Sequence, residues 1–97
     1  MIYVEKLDVE GKSVLGLKVE LPNSPSLLLV VGNKGFIMCG YLNIEVAEKL
    51  QVVAAMVSGV KSFDDVLNAK IKAVTTKAKD LGVNVGLKGR EALKKLV

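Results

Sequence analysis

The 97-residue chain contains no histidine, no tryptophan and a single cysteine. Each shortage closes a class of chemistry. Without imidazole there is no Ser-His or Cys-His dyad, no histidine general base, and none of the zinc sites that need that ligand. Cys39 alone cannot form an intrachain disulfide, which fits a reducing compartment. One thiol and dispersed acids leave no metal-ligand cluster, so neither a metal nor a cofactor is expected. The four aromatics, Tyr3, Phe36, Tyr41 and Phe63, are too few for a base-stacking platform. Long apolar runs are missing as well. Leu27–Val31 spans five residues and Val52–Val57 six, against roughly 20 for a membrane-spanning helix. Glu5, Lys6, Asp8 and Glu10 interrupt the N-terminal apolar residues, where a signal peptide needs a basic start and an unbroken apolar stretch. These absences predict a cytoplasmic protein without membrane contact.

What is present is apolar side chain. Hydrophobic residues make up 51% of the chain and the mean hydropathy is +0.40. A chain of this length buries only about 60–65% of the surface that its unfolded form exposes. Excess apolar surface needs an outlet, and a subunit interface is the expected one. Charge is divided unevenly. Residues 1–60 hold five Lys against six Asp or Glu, a balance of −1, whereas residues 61–97 hold nine Lys or Arg against four acids, a balance of +5. The C-terminal third is a basic lobe.

Along the chain, Ile2–Val9 and Ser13–Leu21 read as strands joined at Glu10-Gly11-Lys12. Leu15, Leu17, Val19 and Leu21 alternate with Gly16, Lys18 and Glu20, the period of a half-buried strand. Pro22-Asn23-Ser24-Pro25 ends it. Leu27–Val31 and Phe36–Cys39 flank Gly32-Asn33-Lys34-Gly35, a hairpin turn chemistry. Both runs are apolar without alternation, so both faces of this hairpin should be covered, one by a helix and the other by a second subunit. Asn43 caps a helix with Leu42, Val46, Ala47 and Leu50 at helical spacing. Val52–Val57 is a further strand, ended by Ser58-Gly59. Ser62-Phe63-Asp64-Asp65 opens a short helix through Asn68 as a capping box. Ile71, Val74, Ala78 and Leu81 fit a helix, and Thr75 fits equally as an N-cap after a short strand. Gly82 suits a C′ position in either case. A last helix runs from about Gly89 to Leu96. The expectation is one α+β domain over residues 1–97: an N-terminal antiparallel sheet of about four strands, then helix, strand and two or three short helices.

Three segments carry a resemblance. They are Gly35 through Asn43, Ser58-Gly59-Val60 through Ala69, and the pair Ala78–Val83 and Val85–Leu93. In this order they resemble the YunC-like family of small bacterial and archaeal proteins, whose domain has no known function. The likeness covers nearly the whole chain. It implies an N-terminal β-rich region that mediates tetramer formation, and it supplies no catalytic residue. Asn43 stands where the family often carries an acid, and Leu87 where it carries methionine. The first departure weakens any scheme with a charged ligand or base there.

Two places hold candidate chemistry. Cys39 ends an apolar strand directly before a helix N-terminus, a setting that suits a reactive thiol. A small buried hydrophobe explains it as well. Gly82, Gly86 and Gly89, with Lys88 and Arg90, precede the last helix and suggest an anion cradle. Their spacing matches neither the Walker A nor the dinucleotide pattern, and turn and cap glycines explain the same residues. The segment from Ala78 to Gly82 imitates the start of a helix-turn-helix. Gly86, Gly89 and Lys88 would then fall inside its recognition helix, which disfavours nucleic-acid binding. The leading expectation is a homo-oligomeric module, with a small anionic ligand held by Gly86, Lys88, Gly89 and Arg90. The alternative is a small enzyme whose site is completed across subunits and uses Cys39, with Lys or Thr moving the protons. A third is weak nucleic-acid association through residues 70–97.

Overall fold

The first turn sets the pattern of the sheet. Glu10 and Gly11 both adopt positive φ, at 50° and 81°, the geometry of a tight hairpin connection whose twist matches the strands it joins. In the structure, a computed structural model covering residues 1–97, strand β1 is Ile2–Val9 and β2 is Lys12–Val19. A second hairpin follows, β3 at Leu27–Val31 and β4 at Phe36–Met38. Helix α1, Ile44–Lys49, then carries the chain over one face of the sheet to β5 at Ala54–Met56. Next come α2 (Phe63–Asn68), the two-residue β6 (Ala73–Val74), α3 (Thr76–Asp80) and α4 (Gly89–Leu96). The fold is α+β. All six strands join one sheet in chain order. Every neighbouring pair is antiparallel except β4 and β5, which run parallel because a helical crossover separates them. No helix is long and apolar enough to cross a membrane.

Side-chain caps start three of the helices. Asn43 Oδ1 accepts from the Glu45 N–H at 2.8 Å, Ser62 Oγ from Asp65 at 3.2 Å, and Thr75 Oγ1 from Ala78 at 3.3 Å. These bonds satisfy donors that a helix leaves without internal partners. The Asp65 carboxylate accepts from the Lys61 N–H at 2.9 Å, one residue before the N-cap amide that a strict capping box uses. The ambiguous stretch around Ile71 resolves as strand, cap and short helix, because pairing of β6 with β5 outweighs the helical spacing.

The sheet has a core on each face. On one, Leu28, Val30, Ile37, Ala55 and Val57 pack against Val66, Leu67, Leu93 and Leu96. Helices α2 and α4 cross here so closely that a Cβ on Gly89 would lie 2.0 Å from the Val66 carbonyl oxygen. On the other face, α1 sets Ala47 over Met38 and Ala54. Beyond α1 this face is bare. Leu15, Leu17 and Val19 share a side of β2 as their alternation predicts, yet it is not the side against the main core. Val14 and Gly16 point inward instead, and the Phe63 ring lies 2.8 Å from where a Cβ on Gly16 would stand. Register aligns Ile2 with Val19, Val4 with Leu17 and Leu15 with Val31. Exposures of 65% at Ile2, 63% at Val4, 47% at Leu15 and 37% at Val31 leave an apolar stripe with no cover.

Candidate functional site

Parallel strands end on the same edge of a sheet, so the loops that follow β4 and β5 lie side by side. Open sheets of this kind bind ligands beyond the carboxyl ends of their strands. Cys39 extends the ladder one step past β4. Its N–H donates to the Leu28 carbonyl at 3.2 Å, and its Sγ accepts from the Leu28 N–H at 3.3 Å. That pairing leaves the side chain 4% exposed. Gly40 and Tyr41 turn the chain away, and the Tyr41 hydroxyl donates to the Pro25 carbonyl at 2.7 Å. This bond ties the loop after β4 to the segment entering β3. On the neighbouring strand, Ser58 and Gly59 turn the chain outward toward Val60 and Lys61, with Gly59 at φ 70°.

Between these loops lies a cavity of about 290 Å³, lined by Pro25, Ser26, Cys39, Gly40, Tyr41, Ser58, Gly59, Val60 and Lys61. Its volume is at the small end for ligand sites, which suits a small metabolite. Pro25, Val60 and the Tyr41 ring give it apolar walls. Ser26, Ser58 and the Cys39 sulfur supply polar atoms, and Lys61 is its one cation. The Lys61 ammonium makes no ion pair. The two salt bridges of the chain join the N-terminal amine to Glu20 and Lys94 to Glu10.

The structure gathers Gly86, Lys88, Gly89 and Arg90 around the start of α4, the last two inside its first turn, and none of them lines the Cys39 cavity. Three of their four backbone donors are taken. The Gly86 N–H donates to the Ile71 carbonyl at 2.9 Å, Gly89 to Ala69 at 2.8 Å, and Lys88 to the Glu91 carboxylate at 3.1 Å. Glu91 thus puts a negative charge of its own at the helix start, where the dipole favours one. Arg90 donates to Asn68 Oδ1 at 3.4 Å. An arriving anion would meet side chains here rather than a ring of open amides. The helix-turn-helix likeness does not form, since residues 81–88 separate the five-residue α3 from α4.

Sequence reasoning singled out Cys39 and missed its neighbours Ser26, Tyr41, Ser58 and Lys61. A signal was available: both strands of the parallel pair are followed by a small residue and glycine, Cys39-Gly40 and Ser58-Gly59. Only the pairing of β4 with β5 brings the two dipeptides together.

Fold and cavity together define a small α+β domain with one free thiol beside a metabolite-sized pocket. The chain belongs to the family described as Domain of unknown function (DUF1805), matched over residues 38–96. It is 37% identical to the uncharacterized protein YunC of Bacillus subtilis (strain 168), an alignment spanning 100% of this chain and 99% of that protein. The crystal structure of a protein of unknown function from Thermoplasma acidophilum has the same fold, with a TM-score of 0.93 and 37% identity over 100% of this chain and 94% of that one. The resemblance to YunC-like proteins therefore holds over the full length. Cys39 through Lys61, which form most of the cavity wall, lie inside the matched residues, and the bare hairpin β1–β2 lies outside them.

Proposed function

We propose that the chain is a homo-oligomeric binding module, assembled through the bare face of β1–β3 and taking up a small anionic ligand. One observation carries the assembly: the aligned stripe of Ile2, Val4, Leu15 and Val31, exposed on a sheet whose other face is packed. Contiguous apolar surface of this kind marks an interface. Two such faces stacked together bury each other's stripe around a two-fold axis, and a tetramer is the expected assembly. Cytoplasmic conditions suit the free, buried thiol. Light scattering at micromolar concentration tests the assembly; a monomer there refutes it.

A second reading, a small enzyme, is favoured by the position of Cys39 in the cavity wall. Cys39 would serve as nucleophile or orienting thiol, with a lysine such as Lys61 handling the proton and a neighbouring subunit completing the site. The check is the rate of alkylation by iodoacetamide. Modification faster than in the denatured chain supports this reading, and a rate no faster than that control removes it.

A further inference from the structure

We infer that the anion site is the cavity at the carboxyl ends of β4 and β5, and that its ligand carries a carboxylate or phosphate head on a small apolar body. This inference rests on the anionic-ligand reading above and moves its site away from the start of α4. The first ground is the state of the backbone. Gly40, Tyr41, Ser58, Gly59 and Val60 all line the cavity, and none of their N–H groups donates to an acceptor in the chain. Val60 is only 7% exposed. These N–H groups are not committed to the fold and stay open to a ligand acceptor at the cavity. At the start of α4, by contrast, the N–H groups of Gly86, Lys88 and Gly89 all have protein acceptors.

The second ground is charge. Lys61, whose ammonium has no ion-pair partner, lines the same cavity. Asp65, the acid that bonds to this segment, has its carboxylate on the Lys61 N–H. Amides together with one cation recognise an oxyanion, because each amide donor stabilises negative charge without carrying a counter-charge of its own. Tyr41, Pro25 and Val60 then face the remainder of the ligand, so it is apolar. The volume of about 290 Å³ limits it to a small metabolite rather than a dinucleotide.

The test is a set of ¹H–¹⁵N TROSY titrations of the assembled protein with inorganic phosphate, with benzoate, and with sodium chloride at matched ionic strength. The expected result is a saturable shift of the Gly40, Tyr41, Ser58, Gly59 and Val60 amides with phosphate or benzoate and not with chloride. Which of the two saturates distinguishes a phosphate ligand from a carboxylate. Lys61→Met should weaken the titration about tenfold, the loss of one charge-assisted hydrogen bond. Gly40→Val should weaken it as well, since Gly40 lines the cavity and a Cβ there meets no atom within 4 Å, so bulk is added at the cavity wall without a clash. Unchanged urea midpoints in both variants tie these losses to the site. Saturable shifts confined to Gly86–Arg90 would overturn the cavity while leaving the anionic-ligand reading intact. Absence of saturation with both anions, or an equal response to chloride, would overturn both.

Discussion

Glu48 stands near the end of α1 and reaches across to the start of α3, where its carboxylate accepts from the Thr76 N–H at 3.0 Å and from the Thr76 hydroxyl. Those two bonds, the side-chain one first, hold the Glu48 carboxyl below its ordinary value of 4.5. A carboxylate depressed by folding contributes stability that is present above its unfolded value and lost as pH falls through the folded one. Glu48→Gln should therefore melt below the wild type at neutral pH, and the gap should close as pH drops beneath 4.5. Paired melting curves down through the carboxylate range check this. The group is exposed, so the shift should be small. Gly89 offers a larger effect from a smaller change. Its missing Cβ is what lets α4 cross the α2 backbone at Val66, so Gly89→Ala should cost about 3 kcal/mol through overpacking. Gly40→Ala, with open space around the new methyl, should stay within about 0.5 kcal/mol of the wild type. Urea midpoints at a constant m-value separate the two. Sequence alone groups Gly89 with a ligand cradle, because a helix crossing and an anion loop ask for the same missing side chain.

At the scale of elements, Thr75 shows how one side chain joins two of them and the connection that enters β5. Its hydroxyl donates to the Val52 carbonyl at 2.7 Å, accepts from the Ala54 N–H of β5 at 3.1 Å, and caps α3. The residue is 1% exposed. Thr75→Val keeps the shape and leaves buried partners unmatched, a loss of about 1–3 kcal/mol. Chemical denaturation against a Thr75→Ser control, which keeps the hydroxyl and loses only the methyl, isolates the buried network. The caps at Asn43 and Ser62, the four N-terminal strands and α4 are legible in the sequence, because local hydrogen bonding and a local apolar period decide them. The two-residue β6 and the Thr75 cap after it stand open in the sequence against one continuous helix, since what decides them is pairing with a strand 17 to 19 positions earlier. The pairing of Ala54 with Phe36 is equally non-local, and the cavity follows from it. Hence Cys39 is visible in the sequence as a candidate, and Lys61, 22 residues away, acquires meaning only once β4 and β5 lie side by side.

Over the whole molecule, the sheet poses a problem that one copy of the chain does not solve. Alternation in β2 names an apolar face correctly and says nothing about what covers it; the core of this chain takes the opposite side, where Gly16 leaves room for Phe63. Covering the bare stripe from within would need another amphipathic helix, but α1 reaches only the β4 and β5 end. A second copy brings the same stripe and the same need. Val4 and Leu15, at 63% and 47% exposure, are the positions to change, because the monomer's own core hardly depends on them. The double variant Val4→Lys, Leu15→Lys should keep the wild-type circular dichroism spectrum. In a stacked pair it would set unmatched charges into an apolar interface, a penalty of several kcal/mol that outweighs what the stripe contributes. Light scattering should then report a species of lower mass than the wild-type assembly, with a lower melting temperature. Retention of the wild-type mass by this variant would place the interface on another surface and leave the exposed stripe without a self-association role.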